Sequence, residues 1–301
     1  MKRIVLPALF FLITVSLGAL DYGLLFSQEL ELSGAENDEA PPEFDLETGY
    51  KASITPRFSM LFGESADLFV SARFTYDYAL KPHYIPELLR TEFSWSKDKY
   101  MLSFGRMQYT APFEHVADGL FDGLKASVRS SLGNLYAGIW YTGLLYKTEA
   151  NIVITEEDKF AYQEPFDYSH FSDTYFASRR LVGAVGWEHP SFGGVFSAKL
   201  AHVFQIDLNG AGGREGSSLN SQYFMASFGL PFGSLSFELG GVFQIAELDG
   251  VLGSGFTWDA GINYFLPTRL PSRVSLTGYF SVDDGESMIP NLVPINSKSF
   301  G

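Results

Sequence analysis

Residues 67–78 read DLFVSARFTYDY. Leu68, Val70, Ala72, Phe74, Tyr76 and Tyr78 fall on one parity; Asp67, Ser71, Arg73, Thr75 and Asp77 fall on the other. Alternate side chains of an extended chain point to opposite faces, so this stretch reads as a strand with one apolar and one polar face. It is longer than the ~5–6 residues usual in a soluble sheet and matches a tilted strand crossing a bilayer. The pattern recurs on either side. Tyr22, Leu24, Phe26, Leu30 and Leu32 oppose Asp21, Ser27, Glu29 and Glu31, and Ala52, Ile54, Phe58, Met60 and Phe62 oppose Lys51, Ser53, Thr55, Arg57 and Ser59. In the second half, Phe196, Ala198, Leu200, Phe204 and Ile206 oppose Ser197, Lys199, Gln205 and Asp207. Phe256, Trp258, Ala260, Ile262, Tyr264 and Leu266 again share one side.

Thirteen strands are expected, near residues 20–32, 49–62, 66–79, 88–96, 100–107, 121–130, 134–146, 178–188, 194–208, 221–230, 235–247, 255–266 and 273–282. Tyr22, Tyr78, Trp95, Tyr100, Trp187 and Trp258 stand near strand ends, as interfacial aromatic girdles require. Short turns at 63–65, 97–99, 131–133, 189–193, 231–234 and 267–272 are punctuated by Gly or Pro in most cases. Between them lie longer connections at 33–48, 80–87, 108–120, 147–177, 209–220 and 248–254, the last being the shortest. Short turns on one side and long loops on the other are the layout of outer-membrane barrels. Because a bilayer supplies no water to an open sheet edge, closure is the way to satisfy every backbone group. The expected fold class is all-β: an antiparallel up-and-down transmembrane β-barrel of about 13–14 strands. An odd count conflicts with both termini facing the periplasm. The reading frame then lacks a C-terminal part, or 292–301 forms a poor closing strand, or one strand is miscounted; the residues after 282 read as an extracellular loop.

Residues 1–19, MKRIVLPALFFLITVSLGA, join a basic start at Lys2 and Arg3 to an apolar run and small residues for cleavage. That is the form of a signal peptide, leaving 20–301 as one exported barrel domain. After residue 20 no apolar run reaches the ~18 residues of a membrane helix. The 301 residues include 28 Phe, 16 Tyr and 30 Gly, which argues against a disordered chain. The absence of cysteine excludes disulfides and thiolate zinc sites. A net charge of −14 argues against nucleic acid as a partner. No GxSxG, HExxH or phosphate-loop motif is present, and GAGGREG at 210–216 lies in a predicted surface loop. His83, His115, His170, His189 and His202 are scattered. No enzyme activity, cofactor or metal is therefore expected.

With the apolar face toward lipid, the polar face lines a lumen. It carries Arg57, Arg73, Arg90, Lys125, Arg129, Arg180 and Lys199, together with Glu29, Glu31, Asp67, Asp77, Glu92, Asp207, Glu238 and Asp259. Those cations read either as a basic ladder guiding anions or as charges paired with acidic neighbours that stiffen the wall. Arg106 shares parity with Leu102 and Phe104, where exposure to mid-bilayer lipid costs about 2–4 kcal/mol. A bulge at Gly105, or a place near the strand end, would relieve it. The loop at 108–120, with Glu114, His115 and Asp118, is a candidate constriction loop that folds inward; the alternative is an ordinary surface loop. The 147–177 loop sets Phe160, Tyr162, Phe166, Tyr168, Phe171, Tyr175 and Phe176 among acids. These aromatics pack together as a cap, or else bind sugars or a partner. The acidic stretch 36–47 reads as solvated surface.

Residues 88–129, LLRTEFSWSKDKYMLSFGRMQYTAPFEHVADGLFDGLKASVR, resemble bacterial outer-membrane porins of the alginate-export and phosphate-selective kind. The likeness is a strand ending in Gly105-Arg106, a loop, and a return through Asp122-Gly123; Met107 departs from the Gln common there. It implies a channel in the outer membrane of a diderm bacterium, passing small hydrophilic solutes by passive diffusion. Its partners would be outer-membrane lipid, those solutes and the barrel-assembly machinery, and a homo-oligomer is compatible with it. The alternative is a non-conducting barrel presenting adhesive or interaction loops. A transporter of hydrophobic substrates is a third reading.

Overall fold

The computed structural model describes residues 20–36, 44–78, 82–150, 152, 155–208, 218–267, 272–283 and 295. The predicted signal peptide, most of the acidic 36–47 stretch and GAGGREG at 210–216 lie outside the described residues. The chain forms two compact units, divided between Trp95 and Ser96. Both are built from antiparallel strands that run up and down in chain order, and all thirteen expected strands are present. Among the described residues, no helix is long and apolar enough to cross a membrane.

In the first unit, β1 (Leu20–Glu36), β2 (Phe44–Phe62), β3 (Ala66–Tyr78) and β4 (Pro82–Lys97) pair in succession. Where a connection of several residues was expected near 80–87, β4 already begins at Pro82. The β3–β4 register shifts between Ser71 and Ala72, leaving Leu89 as an extra residue. This bulge reverses the alternation of β4. Glu87, opposite Arg73, and Arg90, opposite Ser71, thereby share one face although they are three residues apart.

The second unit contains β5 (Tyr100–Thr110), β6 (Asp118–Ser130), β7 (Gly133–Tyr141), β8 (Arg180–Phe192), β9 (Phe196–Asp207), β10 (Leu219–Phe232), β11 (Leu235–Leu248), β12 (Val251–Leu266) and β13 (Ser272–Asp283). The connection expected to be long at 248–254 is a two-residue turn. Asp249 and Gly250 both have positive φ, 54° and 80°, the conformation of a tight hairpin matched to strand twist. Between β7 and β8 the chain instead forms α1 (Lys147–Ala150), α2 (Glu156–Gln163), a 3-10 turn at Tyr168–His170 and α3 (Phe171–Thr174).

Burial separates the two faces of this unit. Leu102, Phe104, Leu124, Ile139, Val185, Leu200, Phe224, Leu239, Phe243, Phe256 and Ile262 are exposed. On the opposite parity, Met107, Tyr109, Phe121, Tyr136, Trp140, Val182, Val203, Tyr223, Met225 and Val242 are buried. Register lines the outer residues into rows, such as Leu135, Trp187, Leu200 and Ala226. An apolar surface left open to the surroundings is the face a bilayer covers. The inner face is more apolar than a simple wet-lumen pattern predicts, because loops cover part of it.

Candidate functional site

The first loop to do so joins β5 to β6. Its sequence, APFEHVA at 111–117, is mostly apolar, so it loses little by leaving water. Two backbone bonds close it: Ala111 N–H donates to Ala117 O at 2.8 Å and Val116 N–H to Phe113 O at 3.0 Å. Ala111, Phe113, Val116 and Ala117 are buried in one cluster with inner-face residues of β5 to β11. Tyr109 stacks on Trp140 with centroids 4.4 Å apart and meets the edge of Phe121 at 6.0 Å. Phe113 lies over Gly240 of β11, where an added Cβ would stand 3.1 Å from the ring. His115 Nε2 is 3.9 Å from Asp259 of β12, and its ring is 5.3 Å from that of Tyr279 on β13. The loop therefore reaches from the β5–β6 end to the inner wall of β11–β13.

Of the three residues expected at the constriction, His115 is in this contact, Glu114 is exposed at the loop tip, and Asp118 stands elsewhere. Asp118 opens β6 on the parity opposite Phe121 and accepts from Gln108 Nε2 and Thr110 Oγ1, both at 2.8 Å. Phe113 and Val116, which anchor the loop, were not singled out from sequence; their apolarity within a predicted surface loop was the available signal. Ile295 was equally unforeseen. It is fully buried in the same cluster and donates its N–H to Val116 O at 2.7 Å. The rest of the segment after β13, expected to be an extracellular loop, lies outside the described residues.

A second cover comes from the β7–β8 connection. Thr155 caps α2 by accepting from Asp158 N–H at 3.1 Å, and Asp158 returns a bond to Thr155 N–H at 3.2 Å, a reciprocal capping box. Asp158 also pairs with Arg180 and accepts from Ser178 Oγ. Arg180 pairs in addition with Asp207 of β9 at 2.5 Å, and neither side chain is exposed to solvent. Lys147 Nζ donates to Ala161 O and Glu164 O, at 2.5 and 2.6 Å. Burial lowers the pKa of that ammonium and raises that of the Tyr162 phenol. Phe166, Phe171, Tyr175 and Phe176 pack against one another, with Phe171 stacked on Tyr175 at 4.6 Å.

The seven predicted lining cations occupy different environments. Arg180 is enclosed beneath α2 and faces no open space. In the first unit, Arg73 lies 3.7 Å from Glu87, and Arg90 bonds Glu92 at 2.8 Å through Nε while its guanidinium stands 4.8 Å over the Phe69 ring. Arg57 is exposed and lies across Gly23, its cross-strand neighbour. In the second unit, Lys125 sits 4.9 Å over the Tyr136 ring, Lys199 is exposed opposite Glu188, and Arg129 is exposed near the β6–β7 turn. The inner wall of β11–β13 carries Glu238, which accepts from Asn263 Nδ2 at 3.2 Å, and Ser275, which donates to Asn263 Oδ1 at 2.7 Å.

Arg106 keeps the parity of Leu102 and Phe104, yet it is buried. Gly105 has φ 106° without a register slip, so Arg106 remains directly opposite Asp122. Its guanidinium holds that carboxylate in a fork, at 2.9 Å from Nε and 2.8 Å from Nη2, and also donates to Leu144 O at 2.8 Å. The ion pair and the overlying connection, rather than a re-aimed strand, remove the cost of a lipid-facing Arg.

Among the described residues, no group of three or more His, Asp or Glu side chains gathers as a metal site. No protein-family model matches the sequence, and no characterised protein matches it in sequence. Solved structures do match in shape. OccAB1 of Acinetobacter baumannii, 11% identical, covers 88% of this chain and 66% of its own, with a TM-score of 0.50. An anion-selective porin from Comamonas acidovorans, 14% identical, covers 88% and 80% at a TM-score of 0.46. OmpT, an outer membrane protein of Vibrio cholerae, is 10% identical and covers 88% of each chain at 0.41. The likeness to OccAB1 is one of fold, and with the strand pattern it makes this chain an antiparallel up-and-down β-barrel of the transmembrane type.

Proposed function

We propose that this protein is a porin-like channel of the bacterial outer membrane through which small hydrophilic solutes diffuse passively. The observation that carries the reading is the two-faced sheet: an exposed apolar outer surface, and an inner surface on which the 111–117 loop folds against β11–β13. The outer face replaces water by lipid at no cost, while polar inner groups hydrate a path. Inner-face charges of both signs, among them Lys125, Arg129, Lys199, Glu188, Glu238 and Asp259, bias which solutes enter. His115 and Glu114 act at the narrowing. The paired states of Arg73 and Arg90 support a wall-stiffening role for those cations over a continuous anion ladder.

The finer likeness to alginate-export and phosphate-selective porins is supported by the ion pair its motif forms, Arg106 with Asp122. Cleavage of residues 1–19, insertion of 20–301 as one barrel by the barrel-assembly machinery, and association of copies in the membrane complete the proposal. Planar-bilayer recordings of the folded protein test it. Stable conductance steps are expected; a correctly folded preparation that never conducts would favour the non-conducting barrel with interaction loops.

A further inference from the structure

The cap between β7 and β8 buries some of its aromatic residues and leaves others open. Phe166 and Tyr175 are buried, whereas Tyr168 is 59% and Phe171 37% exposed. The exposed rings are held in place. Tyr168 meets the edge of Phe166 at 4.7 Å, and Phe171 is stacked on Tyr175. The backbone between them is tied down as well. Asp167 Oδ1 accepts from Ser169 N–H at 2.8 Å, Thr174 Oγ1 accepts from Asp167 N–H at 3.0 Å, and Oγ1 itself bonds Asp167 O and His170 O. An aromatic pair presented this rigidly loses little conformational entropy when a partner covers it.

Charge narrows the class of partner. From Phe160 to Ser178 the chain holds no Lys or Arg. Glu164, Asp167 and Asp173 are exposed, and the fields of all three carboxylates reach His170. Aromatic faces flanked by carboxylates attract cations through both the ring quadrupole and Coulomb forces. We propose that the outer surface of the cap, centred on Tyr168, Phe171 and Asp173, is a docking surface for a Lys- or Arg-rich protein segment. The proposal concerns this exposed surface and does not rest on whether the barrel conducts.

The test uses the full-length folded protein in lipid nanodiscs at pH 7.5, titrated with a fluorescent nona-arginine peptide, and with a neutral dextran oligosaccharide in parallel. Tyr168→Ser removes an exposed ring, and Asp173→Asn removes an exposed charge from the first turn of α3 while keeping an oxygen for the Ser172 hydroxyl. Each is expected to weaken peptide binding by about two- to five-fold. The double variant should be weaker again, with binding falling as salt rises. Unchanged protease resistance of the cap in both variants establishes that the surface, not the fold, was altered. Equal peptide affinity for wild type and the double variant overturns the proposal, since the peptide would then be reading only the net charge of −14. Dextran binding that both substitutions abolish, without peptide binding, overturns it in favour of a glycan surface. Loss of channel activity in planar bilayers bears on the proposed function alone.

Discussion

Replacement of Arg180 by Met is the sharpest perturbation the structure offers. The side chain has no solvent exposure and bridges Asp158 of α2 and Asp207 of β9, the latter at 2.5 Å. Met fills similar volume without charge, so the substitution isolates the ion pairs. Removing one partner of a buried pair costs about 3–5 kcal/mol, because the remaining charge stays desolvated. Here two carboxylates remain, facing each other across the vacated guanidinium, which places the cost in the upper part of that range. Asp207 retains a bond from Leu219 N–H at 3.1 Å, and Asp158 retains its capping box and the Ser178 hydroxyl. Asp207 lies within a strand paired on both sides, whereas Asp158 lies on a short helix, so the cap should leave before the strands separate. A loss of about 4 kcal/mol raises the undocked fraction by about three decades. Urea unfolding from lipid vesicles, followed by tryptophan fluorescence, reads the global term; limited proteolysis between Thr142 and Arg179 reads the local one. Arg180→Lys should fall between wild type and Arg180→Met, since it keeps the charge and loses the fork. Adding Asp158→Asn to Arg180→Met should recover part of the loss. A variant within about 1 kcal/mol of wild type, with an equally protease-resistant cap, would refute the assignment of Arg180 as the pin.

Other expectations are more local. Gly123→Ala would set a Cβ 2.1 Å from Ile139 O and 2.7 Å from Trp140 Cα, both backbone atoms. The β6–β7 pairing must shift, and a destabilisation of about 1–3 kcal/mol is expected in the same urea assay; Gly278→Ala, with open space at its Cβ, should be tolerated. The exposed Asp167–His170 pair predicts a pH window in the cap. The hydrogen bond from His170 holds the Asp167 carboxyl below its usual range, and Asp167 raises the His170 imidazole above its own. The raised imidazole contributes stability that is full below its ordinary pKa and lost as pH rises through the elevated one. The lowered carboxyl contributes stability present above its ordinary pKa and lost as pH falls through the depressed one. Both contributions are therefore present between about pH 4 and 6.5. An NMR titration of His170 should move to lower pH in Asp167→Asn, and an unmoved curve would break the linkage.

Alternation is written locally, because each side chain's face follows from its own parity. Thirteen strands and the outer apolar belt, from Leu102 to Ile262, were legible for that reason. Turn chemistry was legible too, though at Asp249-Gly250 the expectation of alternating loop lengths overrode a dipeptide whose two positive φ angles favour a tight hairpin. What covers a face is decided elsewhere in the chain. The bulge that brings Glu87 and Arg90 to one side depends on how β4 meets β3. Arg106 is buried because Asp122 and Leu144 O meet it. Phe113 finds room because residue 240 has no side chain, and Arg180 leaves the lumen wall because a helix about twenty residues upstream carries Asp158. Periodicity fixes which way a residue points; only the packed chain supplies the group that waits there, since burial is a property of pairs distant in sequence.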